Sequence, residues 1–146
     1  MGVDLIGNGG FSMNWSAWHH IQDLAQEFGW SPRGVVPPDD HPDKTLFNGR
    51  DGYNSNDGQL ATDTDAGALG TALGRAIEDP LDPIAASHVN FDEQQRPTLE
   101  ELSAEMKRFI ENPELLKNLE AAEDKLPLWL VAEFAAYCKR GGFRIY

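Results

Sequence analysis

Between Trp15 and Phe28 the residues Trp15, Trp18, Ile21, Leu24, Ala25 and Phe28 recur at steps of three and four, and Gly29 follows them. That spacing lays one apolar stripe along a helix, and a glycine just past the last periodic position is a helix stop. A stripe this wide must be covered by another element, so the chain has to build a core around its first helix. The 146 residues include seven Phe, four Trp and three Tyr, enough apolar surface for a single ordered domain over residues 1–146.

Four further helices are expected. Thr62-Asp63-Thr64-Asp65 has the spacing of a capping box, in which Thr62 and Asp65 each satisfy an orphan amide, and Ala66, Leu69, Leu73, Ala76 and Ile77 form the stripe behind it. Gly67, Gly70 and Gly74 edge that stripe, and glycine costs about 1 kcal/mol per helical position, so a close neighbour is expected along the ridge. Asp79-Pro80 and Asp82-Pro83 read as the end of this second helix. Pro97-Thr98 with Glu101 opens a third, over 97–110; Asn112-Pro113 opens a fourth; Pro127 begins a fifth that carries Leu128, Val131, Phe134, Ala135 and Cys138 inward and stops at Gly141-Gly142.

The two ends alternate differently. Val3-Asp4-Leu5-Ile6 and Phe143-Arg144-Ile145-Tyr146 both show period two, and neither strand is stable alone, so they are expected to pair. The resulting fold class is mainly α with minor β: four or five helices and a small sheet joining the N- and C-terminal strands. Residues 30–61, with Pro32, Pro37, Pro38 and Pro42 among several glycines, show no periodicity, and so long a connection points to a functional loop or a short hidden element.

Charge narrows the function. There are 24 acidic and 12 basic residues, for a net −12, which opposes direct binding to nucleic acid or to an anionic membrane surface. A basic protein partner fits the sign. Cys138, the single cysteine, stands inside an apolar helical pattern and reads as a core residue. The first eleven residues lack the charged and hydrophobic regions of a secretory signal, and no apolar run reaches the roughly 18 residues of a membrane span, so a cytoplasmic location is expected.

Gly7-Asn8-Gly9-Gly10 lacks the third glycine of a dinucleotide loop and the lysine of a phosphate loop, and reads as a plain turn. Asp39-Asp40-His41-Pro42-Asp43 reads as a solvated acidic loop. Residues 51–58, Asp51-Gly52-Tyr53-Asn54-Ser55-Asn56-Asp57-Gly58, are dense in oxygen donors but out of register for an EF-hand. Leading into a glycine-ridged helix, they form the best candidate ligand region: Asp51, Tyr53, Asn54, Asn56 and Asp57, with His19 and His20 of the first helix. His19 and His20 lack a further ligand at any recognised zinc spacing, since His41, His88 and Cys138 stand far off in sequence. Neither a metal site nor a cofactor is therefore expected, and no catalytic signature is found.

Met1-Gly2-Val3-Asp4, Asn14-Trp15-Ser16-Ala17-Trp18, Asn56-Asp57-Gly58 and the closing Val131-Ala132-Glu133-Phe134-Ala135-Ala136-Tyr137-Cys138-Lys139-Arg140-Gly141-Gly142-Phe143-Arg144-Ile145 together resemble a scattered group of short bacterial and phage proteins without an established activity. The resemblance implies a bacterial or phage origin and lends no catalytic residue. Two functions are expected from the residues themselves. The first is an acidic intracellular protein-interaction module, accessory or inhibitory, that meets a basic partner; the alternative is a small enzyme or a ligand- or metal-binding protein that uses the loop 51–58.

Overall fold

A computed structural model of the chain describes residues 2–33, 35–95, 98, 100, 103, 104 and 125–146. The first strand, β1 (Gly2–Gly7), turns at Asn8 into β2 (Gly9–Asn14), and all six residues of each pair antiparallel from Gly2↔Asn14 to Gly7↔Gly9. Gly9 takes φ +107°, a left-handed conformation that glycine adopts without penalty, which lets the hairpin close this tightly. Helix α1 (Trp15–Glu27) follows at once, capped by the Asn14 side chain, which accepts from the Ala17 amide at 2.7 Å.

Two short 3-10 turns, Lys44–Phe47 and Gly49–Tyr53, lead to β3 (Gln59–Ala61), then α2 (Asp63–Ala76) and the short α3 (Pro83–His88). Beyond it come β4 (Val89–Asn90) and β5 (Leu126–Pro127), which pair parallel, then α4 (Leu128–Cys138) and β6 (Phe143–Ile145). The main sheet is four-stranded, in the order β2-β1-β6-β3, with every pair antiparallel. An isolated bridge from Val36 to Leu60 adds a further rung outside β3.

The expectation of a mainly α chain is thus corrected to a mixed α/β fold. Four strands were not expected: β4 and β5 form a second small sheet, and β2 and β3 lie where the sequence reading placed turn and loop. Phe11-Ser12-Met13 alternates for only three residues between a glycine turn and a helix cap, and Gln59–Ala61 is a strand because β6 is there to pair with it. Asp82-Pro83 is likewise corrected: it opens α3, the Asp82 carboxylate accepting from the Ile84 and Ala85 amides at 2.9 and 3.2 Å. The helix expected from Asn112 lies outside the described residues, as does that over 97–110 except at four positions.

Val3 and Leu5 of β1 and Phe143 and Ile145 of β6 are fully buried on the inner face of the sheet. Trp18 of α1 meets Phe134 of α4 edge-on at 5.8 Å and Phe143 at 6.4 Å, so two helices and the sheet share one aromatic cluster. The Tyr137 hydroxyl donates to the carbonyls of Leu5 and Gly9 at 3.1 Å, tying α4 to the hairpin. Of the glycine ridge on α2, only Gly70 is at a crossing, against Ala135 and Cys138 of α4; Gly67 and Gly74 have open space where a side chain would begin.

Candidate functional site

The polar loop 51–58 is folded around a side chain that the sequence reading left out. Gln59 is fully buried, and its amide nitrogen donates to the carbonyls of Gly52 (2.8 Å) and Ser55 (2.6 Å), while its oxygen accepts from the Asp57 amide at 3.0 Å. The loop's carbonyls turn inward and need a donor with reach, which a glutamine at the start of β3 supplies. Trp18 of α1 adds a bond from its indole nitrogen to the Tyr53 carbonyl at 2.7 Å.

Tyr53 faces the core and is wholly buried. Its hydroxyl donates to Asp65 of α2, and the Trp30 indole donates to the other oxygen of the same carboxylate at 3.3 Å. The capping-box reading is half realised: the Thr62 hydroxyl accepts from the Asp65 amide at 3.2 Å, but the Asp65 carboxylate turns inward to Tyr53 and Trp30. Burial pushes the Asp65 carboxyl above the usual range, against its two hydrogen bonds and the nearby Arg33 charge, which pull it down. Burial also raises the Tyr53 phenol, and its bond to Asp65 raises it further. The Cys138 thiol is raised chiefly by burial and secondarily by the Asp65 charge, which leaves it a poor nucleophile.

Asp51, Asn54, Asn56 and Asp57 remain at the surface. Asn54 accepts from the buried Gln22 amide at 3.3 Å, and Asp57 stands 3.8 Å from the His41 ring. The loop meets α1 through Arg50, which pairs with Asp23 at 2.6 Å and donates to the His19 carbonyl at 3.1 Å. The His19 ring packs on Trp15 instead, and His20 meets His88 of α3, their Nε2 and Nδ1 atoms 3.0 Å apart. Asp43 of the acidic stretch caps the first 3-10 turn, its carboxyl held below the usual range by the Thr45 hydroxyl and amide. Among the described residues no three His, Cys, Asp or Glu side chains gather as a metal cluster, and no helix is long and apolar enough to cross a membrane.

The groups left facing solvent together are on the outer face of the sheet. Register places Leu60, Arg144 and Ile6 in one row across β3, β6 and β1, and the Val36 bridge extends that row at its Leu60 end. The next row holds Gly58, Tyr146, Asp4 and Ser12, joined by the Asp4–Tyr146 backbone pair and by the bond from the Gly58 amide to the Ile145 carbonyl. Ile6 is 51% exposed, Val36 48% and Tyr146 47%. Arg144 donates to the Gly58 carbonyl at 2.9 Å, and Ser12 donates to Asp4 at 2.7 Å. No protein-family model matches this chain, and neither does any curated protein or solved structure.

Proposed function

We propose that this chain is a protein-interaction module that docks a basic partner on the outer face of its four-stranded sheet. The observation that carries the reading is the outer face of the sheet, where exposed Ile6, Val36 and Tyr146 share one surface with half-buried Leu60, and Arg144 stands between Ile6 and Leu60. Apolar groups grouped on one face are a mark of docking surfaces. Leu81 and Ile84 are exposed too, but they stand near one helix start and form no row across an element. The net charge of −12 supplies the sign of the partner, by attracting basic proteins and repelling acidic ones. A cytoplasmic location accords with the one buried cysteine.

The loop 51–58 contributes to this function by holding β3 in place, through the bonds of Gln59 to the Gly52 and Ser55 carbonyls and the Asp57 amide. The test is affinity capture by the purified chain at low and high salt, run beside an Ile6→Asp variant whose circular dichroism matches the parent. The expected result is a set of basic proteins retained at low salt, released as salt rises, and lost with the variant. Retention of nothing at low salt, or equal retention by the variant, overturns the proposal.

A further inference from the structure

His20 stands in the middle of α1 and His88 closes α3, 68 residues away, yet their rings meet edge to face with centroids 5.1 Å apart. Each ring is carried on an anchored element. Ile21 beside His20 is fully buried, and α3 is fixed by its Asp82 cap, by buried Ala85 and by buried Val89, which continues into β4. The separation of the facing nitrogens, His20 Nε2 and His88 Nδ1, is 3.0 Å.

Two imidazole nitrogens on one zinc ion, each at about 2.0–2.1 Å, lie about 3.3 Å apart at the tetrahedral angle and about 2.9 Å apart at a right angle. The observed distance falls within that interval. We propose that His20 and His88 form a two-imidazole clamp for a divalent transition-metal ion of the zinc, copper or nickel type. Imidazole selects these ions over magnesium and calcium, which prefer oxygen. The excess of 24 acidic over 12 basic residues raises the local concentration of any cation.

In the metal-free chain one facing nitrogen donates its hydrogen to the other. On binding, both facing nitrogens present lone pairs to the metal, and the hydrogen between them moves to another ring nitrogen or leaves to solvent. Protons compete for the same nitrogens, so binding weakens as pH falls.

The experiment is titration of zinc, copper and nickel into the untagged full chain, read by calorimetry and by melting temperature. One ion per chain and a rise in melting temperature are expected, since a ligand of the folded form stabilises it. His20→Gln and His88→Gln each weaken binding by about tenfold or more, because losing even an outer-shell partner costs that much. His41→Gln leaves binding unchanged. Should either variant fail to fold, nitrogen-15 spectra of the histidine rings in the parent chain decide the matter: zinc must shift His20 Nε2 and His88 Nδ1. Unchanged melting at millimolar metal, or binding undiminished in both variants, overturns the proposal and leaves the pair a simple hydrogen bond between rings.

Discussion

Replacing Tyr53 by Phe removes one oxygen from a closed site and keeps the ring that meets Trp30 edge-on at 5.2 Å. No cavity of consequence opens, so the loss measures the bond that the hydroxyl donates to Asp65. A hydrogen bond to a buried charged group contributes about 1.5–3 kcal/mol, and the bond that remains to Asp65 from Trp30 is a long one at 3.3 Å. A loss near 2 kcal/mol is therefore expected at neutral pH, or roughly 2–4 °C of melting temperature per kcal/mol for a chain of this size. The loss depends on pH. Burial sets the folded pKa of Asp65 above its unfolded value, so in that window the folded chain holds more protons than the unfolded one, and stability falls as pH rises through it. The Tyr53 bond lowers that folded pKa, so Tyr53→Phe raises it and widens the window. The gap between variant and parent should grow as pH rises through the parent's folded pKa and level off above the variant's higher one. Urea melts at several pH values measure it. A loss under about 0.5 kcal/mol at neutral pH, or one equal at all pH values, would refute the reasoning.

Gln59→Leu orphans the Gly52 and Ser55 carbonyls and the Asp57 amide, and should cost about 2–4 kcal/mol and open the loop 51–58 to limited proteolysis. Gln22→Met should stay within about 1 kcal/mol by the same melts, because among the described residues the buried Gln22 oxygen has no hydrogen-bond partner and its nitrogen bonds are long, at 3.3 and 3.4 Å. On α2, Gly67→Ala and Gly74→Ala should each stabilise by up to about 1 kcal/mol. Gly70→Ala should destabilise by about 1–3 kcal/mol, since its new methyl would sit 3.0 Å from both the Ala135 carbonyl and Cys138; chemical melts separate the signs. Cys138 should resist a thiol reagent in the native chain and react only on unfolding, which a labelling time course with and without urea reads directly.

Much of the helical architecture was legible because its signals are local. The stripe from Trp18 to Ala25 is buried as its period requires, and the Asn14 and Thr62 side chains cap helices through amides three residues on. Here residue type and spacing suffice. Strands are different, because a strand is defined by its partner. Gln59-Leu60-Ala61 has too little alternation to stand out from the prolines and glycines before it, and it becomes β3 through Phe143, Arg144 and Ile145, more than eighty residues away. The same holds for β2, whose Phe11 and Met13 point inward only because β1 pairs with it along its whole length. A reading that weighs local period alone therefore undercounts sheet, which is how a mixed fold came to look mainly helical.

The candidate groups sort by the same physics, according to how far along the chain each finds its partner. Asp65 was legible as a helix-start acid, but its carboxylate bonds Tyr53, twelve residues back, and Trp30, thirty-five back. The polar loop keeps Asp51, Asn54, Asn56 and Asp57 at the surface, while the Gly52 and Ser55 carbonyls turn inward to Gln59, which composition alone does not show. The meeting of His88 with His20 is of the same kind, since α3 brings to α1 a ring 68 residues away that sequence spacing does not relate to it. The outer sheet face is the extreme case. Val36, Leu60, Ile6 and Tyr146 are scattered from one end of the chain to the other, and none is unusual where it stands. They come onto one face through the order β2-β1-β6-β3, so the docking face proposed above is readable only from the strand order.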